Sequence, residues 1–481
     1  MQKYEHAFGK NDIRGIYKDD ITEELFFNIG RSFPLWLKDK TKKSDLCITV
    51  CRDARLHSPQ LSDALISGLI NSNVKVIDLG LAPTPLGYFS DVTIDGVDSA
   101  MIITASHNPK EYNGLKMTYN HQTLNEQQIK EVKEITFNNW TEFNKTDIKN
   151  VEKFDIVQDY ITNMKERFGQ IGKGVKVVVD SANATGGIVG PELYKQLGCD
   201  VIELYSEPDG NFPNHHPNPS DLKTLKDLET KVIESGADVG IAFDGDSDRI
   251  GVVDTVGRPM TGDKLLLIYA LDIIESGIKP TVVSEVKCSQ VLYDTINRLG
   301  GNAVMTKTGH GYIKEKMKEV NAILAGEMSG HTFFKDRYYG YDDAIYAGCR
   351  IIEIIAKNKA NNNNFKIQDM LKDFDAVYTS DEVRYPCPNE LKKPVLTELK
   401  DYVNSNRDMF GVEIKDIITL DGMRIVFDGG FALIRQSNTE PVFTLRFEAK
   451  TQAVCESIQK IMLDNLDSIL ENAKNVMHIS L

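Results

Sequence analysis

The chain has few features that would tie it to a metal cluster, a nucleic acid or a membrane. Its seven cysteines, Cys47, Cys51, Cys199, Cys288, Cys349, Cys387 and Cys455, are scattered and contain no CxxC pair. An odd, dispersed set of this kind argues against a thiolate metal cluster and fits a reducing compartment. Cys47 and Cys51 fall in one strand-like run and read as core. Basic residues are outnumbered, and the net charge of −14 argues against a nucleic-acid partner, which would need a basic face. An acidic surface mainly serves solubility, and a local basic pocket can still take an anionic substrate. The most apolar helix-like run, Leu265 to Ile274, is broken by Asp272 and falls far short of the roughly 20 residues of a membrane span. The opening Met1-Gln2-Lys3-Tyr4-Glu5 lacks the charged-then-apolar profile of a signal peptide. The expectation is a cytoplasmic protein with no membrane or nucleic-acid partner.

The length of 481 residues suits three or four domains of roughly 150 residues each. The 41% hydrophobic content is ample for their cores. The first segment opens with Asn11-Asp12-Ile13-Arg14-Gly15 and a helix pattern from Thr22 to Leu37. A strand (Leu46 to Val50) then ends in Arg52-Asp53-Ala54-Arg55, followed by a helix (Pro59 to Asn71) and a strand (Val74 to Leu79). A further strand, Ser99 to Thr104, delivers Thr104-Ala105-Ser106-His107-Asn108-Pro109.

The layout recurs. Val175 to Val179 ends at Asp180-Ser181-Ala182-Asn183, a helix runs from Gly190 to Leu197, and Asp200 to Leu204 is a strand. Val239 to Phe243 then delivers Asp244-Gly245-Asp246-Ser247-Asp248-Arg249. In the third copy Thr281 to Val286 ends at Lys287-Cys288-Ser289, a helix covers Gln290 to Leu299, and Asn302 to Met305 is a strand. Asn321 to Ala325 delivers Gly326-Glu327-Met328-Ser329-Gly330-His331. Strands alternating with helices imply parallel sheets. Three copies of one α/β domain are expected, each offering one loop from the same edge, where such sheets place their ligands.

The tail differs. Asn361 to Asn364 reads as a loop, after which Tyr378 to Tyr385, Ile417 to Leu420, Met423 to Phe427, Ala432 to Arg435 and Phe443 to Lys450 read as strands. A long amphipathic helix, Gln452 to Lys474, closes the chain. This is an α+β module with an antiparallel sheet.

The loops carry the chemistry. Ser106, at the end of a buried-looking strand, is a candidate nucleophile if a neighbour activates it, although serines after strands also cap helices and make turns. Asp244, Asp246 and Asp248 repel one another unless a cation gathers them. Oxygen-only ligands favour a hard ion such as Mg²⁺. An EF-hand is excluded, because no glutamate stands at the twelfth position and an apolar strand, Ile250 to Val253, follows. An ion held this way leaves a position for a phosphate oxygen, which Ser106 would fill if phosphorylated. Arg14, Lys116, Arg249 and Lys287 sit in or beside these loops. Each alone reads as surface, but together they make a basic cleft. Arg435-Gln436-Ser437-Asn438-Thr439-Glu440-Pro441 has the donors of an anion cradle. Glu327 and Ser329 suit sugar hydroxyls. His310 and His107 are each either an acid–base group or a structural histidine.

The four motifs TASHNP, DGDSDR, GEMSGH and RQSNTEP, in this order over essentially the whole chain, resemble the α-D-phosphohexomutases, and most of all the phosphomannomutase/phosphoglucomutase branch. The resemblance implies three similar mixed-sheet α/β domains and a C-terminal α+β domain around a central cleft, spanning 1–152, 153–256, 257–370 and 371–481. It implies an enzyme, an intramolecular phosphotransferase that interconverts hexose 6-phosphate and hexose 1-phosphate through a 1,6-bisphosphosugar. Ser106 would be the phosphoserine, holding Mg²⁺ with Asp244, Asp246 and Asp248. Arg14, Lys116 and His310 would be catalytic, Lys116 or His310 moving the proton. His107, Arg249, Lys287, Glu327, Ser329 and His331 would bind substrate, and Arg435, Ser437, Asn438 and Thr439 its distal phosphate. The only partner implied is the phosphosugar, for a monomer or weak homo-oligomer. Three positions depart from the family pattern: Asn11 before the Asp-Ile-Arg-Gly run, Gln290 after Lys287, and Ala344 for a usual glycine. The first two departures bear on sugar or phosphate contacts and so on substrate preference, and phosphoglucosamine mutase is the competing enzyme. A phosphosugar-binding regulatory protein is the non-enzyme alternative.

Overall fold

A computed structural model describes residues 2–437 and 440–477. The chain forms two compact units, Met1–Thr261 with Ser329–Ile367, and Gly262–Met328 with Gln368–Leu481.

In the first unit, the strand Ser99–Ile103 is buried along its whole length, as a central strand covered on both faces must be. It pairs in parallel with Cys47–Arg52, which pairs in parallel with Lys75–Leu81. On its other side Tyr112–Tyr119 runs antiparallel, followed by Ile13–Ile16. The two-residue strand Glu152–Lys153 extends the far edge beside Lys75–Leu81. The covering helices include Glu23–Thr41, whose Thr22 Oγ1 accepts from Leu25 N at 3.2 Å, a serviceable N-cap. The second sheet repeats the core. Val239–Phe243 lies parallel beside Lys176–Asp180, which lies parallel beside Asp200–Leu204. Ile250–Val253 returns antiparallel along Val239–Phe243.

The second unit holds the third copy, with Leu324–Gly326 beside Thr281–Glu285 and Thr281–Glu285 beside Asn302–Thr306, all parallel. The spatial order of the three core strands is therefore the same in all three sheets. In each, the last strand lies against the first and ends in the motif loop. The C-terminal part is an antiparallel sheet ordered Tyr378–Thr379, Val442–Ala449, Gly430–Gln436, Met423–Phe427, Ile414–Ile418, with Val383–Pro386 also on Val442–Ala449. The helices Asn389–Ser405 and Gln452–Met477 close its core through Leu391, Val395, Leu399, Ile458, Met462 and Leu466.

Several elements differ from expectation for local reasons. The expected strand Tyr378–Tyr385 is two strands: at Ser380 the amide still donates to the Phe447 carbonyl at 2.8 Å, but the Ser380 hydroxyl accepts from Phe447 N at 3.0 Å in competition with the backbone. The expected Ile417–Leu420 lies at Ile414–Ile418, with a bulge between Ile414 and Asp416. The strand expected from Asn321 starts at Leu324, because Asn321 takes a left-handed φ of 49° at the end of the helix His310–Glu319. Asn361 belongs to the helix Ala344–Asn361, and the loop begins after it. Among the described residues no helix is long and apolar enough to cross a membrane, and all seven cysteines are free.

Candidate active site

Ser106 leaves the strand Ser99–Ile103 in a left-handed conformation, φ 50°, an uncommon one for a residue with a side chain. Its amide donates to Thr104 Oγ1 at 2.8 Å. Its hydroxyl donates to Asp244 Oδ2 at 2.7 Å and lies 3.1 Å from His107 Nδ1. Both Ser106 and Asp244 are buried. The serine loop and the acidic loop, 138 residues apart in sequence, thus meet through their side chains. They also meet through backbone: a Cβ on Gly245 would stand 2.3 Å from the Ser106 carbonyl oxygen, so this approach requires glycine.

The acidic loop is built for a cation. Ligand oxygens of Asp244, Asp246 and Asp248 all lie within 4.8 Å of one another, and all three residues are buried. Burial raises the Asp244 carboxyl well above the usual range, and the neighbouring Asp248 and Asp246 raise it further. Burial and Asp248 also raise Asp246. Burial alone would raise Asp248, but His331, Lys116 and Arg249 outweigh it and hold this carboxyl well below the range. Asp246 Oδ2 accepts from Thr84 Oγ1 at 2.6 Å, whereas its Oδ1 is buried without a hydrogen-bond partner. A buried orphan oxygen in an oxygen-only trio fits a hard divalent cation.

The cations stand around this trio. Lys116 Nζ lies 3.7 Å from Asp248 and 3.9 Å from Asp12. Burial would lower its pKa, but Asp248, Asp12 and Asp246 together raise it, so it is an ammonium. Arg14 donates to Asn108 Oδ1 at 3.0 Å and to Asp12 at 2.5 Å. Arg249 Nε is 3.9 Å from both Asp244 and Asp248. Burial, with Arg249 and Arg14 adding to it, pushes His107 down to about 2, so this imidazole is neutral. His331 Nδ1 is 3.0 Å from Ser329 Oγ, and Nε2 is 3.3 Å from Asp248 Oδ1.

In the second unit three further stretches come together. Asp421 Oδ2 accepts from Arg435 Nε at 3.2 Å and from Thr308 N at 3.3 Å. The next amide, Gly309 N, donates to Glu327 Oε1 at 2.8 Å. His310 follows directly and begins the helix His310–Glu319. Lys287 Nζ lies 3.6 Å from Glu285, whose Oε1 also accepts from Met328 N at 2.9 Å. Glu440 N donates to Ser437 Oγ at 3.2 Å. Asn438 and Thr439, expected in the same cradle, lie outside the described residues.

Four family models match the chain: phosphoglucomutase/phosphomannomutase alpha/beta/alpha domain I over residues 5–142, domain II over 158–257, domain III over 261–374, and the C-terminal domain over 382–465. A phosphomannomutase/phosphoglucomutase of Pseudomonas aeruginosa is 38% identical over 462 residues, 96% of each chain. The chain belongs to the phosphoglucomutase/phosphomannomutase family. A phosphoglucomutase of Neisseria gonorrhoeae is 37% identical, covering 94% of this chain and 95% of the relative. The crystal structure of a phosphoglucomutase/phosphomannomutase family protein from Burkholderia thailandensis superposes with a TM-score of 0.83 at 34% identity, covering 97% of both chains.

Some residues of this phosphoglucomutase/phosphomannomutase site escaped sequence reasoning. Thr84 touches the acidic trio and Asp12 the cations; a threonine after Pro83 carries no motif of its own, and Asp12 stood in the Asp-Ile-Arg-Gly run without being given a role. Arg55 was visible only as the end of a strand. Lys392 is buried in the helix Asn389–Ser405 and donates to the Ser437 and Glu440 carbonyls at 2.8 and 2.5 Å. The helix is amphipathic, and a lysine on its buried side was the signal available. Of the departures, Gln290 is accounted for: its Oε1 accepts from Arg424 Nη2 at 3.1 Å, which a basic side chain would not do.

Proposed function

We propose that the chain interconverts hexose 6-phosphate and hexose 1-phosphate, of mannose, glucose or both, with Ser106 as the phosphoryl carrier and a 1,6-bisphosphosugar between the two. The observation that carries this reading is the Ser106 hydroxyl, aimed at Asp244 from 2.7 Å in a buried carboxylate trio, in a family whose relatives are named for both mutase activities.

In one half-reaction the Oγ–P bond of phosphorylated Ser106 breaks, an O–P bond to a sugar hydroxyl forms, and the hydroxyl proton passes to the protein. In the other half, the second phosphate of the bisphosphosugar moves to Ser106 Oγ and the proton returns to the sugar oxygen it leaves. Asp244, Asp246 and Asp248, with the serine phosphate, would hold Mg²⁺, which when bound supplies the charge neutralisation that phosphoryl transfer needs. Neutral His107 orients the Ser106 hydroxyl. Arg14 is assigned to catalysis and Arg249 to substrate, both beside the trio. Lys116 or His310 moves the proton. Glu327, Ser329 and His331 are assigned to sugar hydroxyls. Lys287 also contacts substrate, and Arg435, Ser437, Asn438 and Thr439 take the distal phosphate. Domain limits at 152/153, 256/257 and 370/371, a cytoplasmic location and a monomeric or weakly associating state belong to the same proposal.

The test is intact-protein mass with and without a 1,6-bisphosphosugar, beside turnover of Ser106→Ala. Phosphate uptake by the wild type, none by the variant and loss of nearly all its turnover are expected. Wild-type rates from Ser106→Ala would refute the proposal.

A further inference from the structure

A guanidinium has five N–H donors in a fixed planar fork, and all five of Arg55 are used. Nε donates to Asp53 Oδ2 at 3.0 Å. Nη1 donates to the carbonyls of Pro109 and Tyr112 at 2.6 and 3.0 Å. Nη2 donates to those of Ser106 and Asn108 at 2.8 and 2.7 Å. Three carbonyls of the loop that carries the serine, and that of Tyr112 where the next strand begins, therefore converge on a single buried cation. The cation is itself held in orientation. Asp53 Oδ1 accepts from Arg55 N at 3.1 Å and from Ser58 Oγ at 2.6 Å, and the Phe212 ring lies 5.6 Å from the guanidinium carbon. Gly210, two residues before Phe212, packs where a Cβ would stand 2.5 Å from Ala54 O.

The contact to the Ser106 carbonyl matters beyond fold. The direction of that carbonyl belongs to the left-handed conformation of Ser106, and this conformation aims Oγ at Asp244. The same oxygen is the one that Gly245 approaches, so the Ser106 carbonyl is both hydrogen-bonded and closely packed.

We propose that Arg55 is a positioning residue for the phosphoryl carrier: it fixes the backbone of the serine loop so that Ser106 Oγ faces the acidic trio and the incoming sugar. The role rests on the phosphoserine reading above. It requires the fork geometry and not charge alone, since a lysine offers three donors from one point and cannot reach four carbonyls and a carboxylate.

The experiment compares Arg55→Lys, Asp53→Asn and Ser106→Ala with wild type, using mannose 1-phosphate and glucose 1-phosphate with the matching 1,6-bisphosphosugar. Folding is checked by circular dichroism and melting. For Arg55→Lys, kcat falls about a hundredfold, as expected for a reacting group misplaced by about 1 Å. KM stays near wild type, because the groups assigned to sugar and distal phosphate are untouched, and phosphate uptake at Ser106 slows in parallel. Asp53→Asn is nearly isosteric but presents an amide N–H to Nε–H, which turns the fork. Its kcat falls roughly tenfold, equivalent to one charge-assisted hydrogen bond. A folded Arg55→Lys that melts earlier but keeps wild-type kcat would show a purely structural role and overturn the proposal. Should Arg55→Lys not fold, wild-type kcat from folded Asp53→Asn overturns it equally. If Ser106→Ala retains turnover, the phosphoserine reading itself fails. If Ser106→Ala is inactive while both other variants turn over normally, only the positioning role does.

Discussion

Replacing Gly245 by alanine is a severe perturbation for one methyl group. Gly245 has no left-handed φ, so alanine is compatible with its backbone, and the substitution isolates a single steric contact. The new Cβ would lie 2.3 Å from the Ser106 carbonyl oxygen and 3.1 Å from its carbonyl carbon. Ordinary contact begins near 3.4 Å, so one loop must recede from the other by about 1 Å, a displacement that costs about a hundredfold in rate at a reacting centre. The carbonyl has little freedom to yield, because it accepts from Arg55 Nη2 at 2.8 Å. Overpacking of this kind lowers stability by about 1–3 kcal/mol, which a protein of this size survives. The assay is steady-state kcat for glucose 1-phosphate, with circular dichroism to establish folding and intact mass to follow phosphate on Ser106. Gly245→Ala should fold, bind substrate with near-normal KM and turn over about a hundredfold more slowly. A folded variant with kcat indistinguishable from wild type would refute the claim that apposition of the two loops sets the rate.

The remaining predictions concern metal, pH and the C-terminal loop. Saturating Mg²⁺ should raise the melting temperature of the wild type, because the three buried carboxylates gather it only in the folded state, and should do much less for Asp246→Asn; no shift in wild type would count against a metal site. Burial alone would lower the pKa of His215, but the hydrogen bond and charge of Asp180 raise it overall. The stabilisation from this pair is therefore full below the unfolded value of about 6.5 and is lost as pH rises through the folded value. The melting-temperature gap between wild type and Asp180→Asn should be wide at about pH 5.5 and narrow at about pH 8.5, and an equal gap at both would disprove the linkage. Lys392→Met removes the ammonium that donates to the Ser437 and Glu440 carbonyls, hydrogen bonds to a charged group worth about 1.5–3 kcal/mol, and should raise KM with little change in kcat; the opposite pattern would remove this loop from distal-phosphate binding.

Much of the architecture was legible in the chain because its signals are local. Central parallel strands such as Ser99–Ile103 and Val239–Phe243 are buried on both faces and so read as short apolar runs. Each ends abruptly in small and charged residues, which made the motif loops visible. The threefold strand–helix–strand layout was countable, and the sheets share one strand order. Sequence reading failed where a side chain competes with the ladder, as at Ser380, and where a non-glycine residue turns left-handed, as at Asn321. Neither event leaves a periodicity to detect.

The site divides along the same line. The sequence by itself determined which residues carry chemistry: a serine on a strand end, three alternating aspartates, and an arginine beside hydroxyls. Spacing and residue type suffice for these because one short loop presents each group. Only the tertiary structure decided that Ser106 meets Asp244, that Thr84 and Lys116 complete the acidic trio's surroundings, and that Arg55 rather than any motif residue holds the serine loop. Those partners lie tens to more than a hundred residues apart, and a pairing across such a distance is set by how whole sheets pack, which no window of the sequence contains.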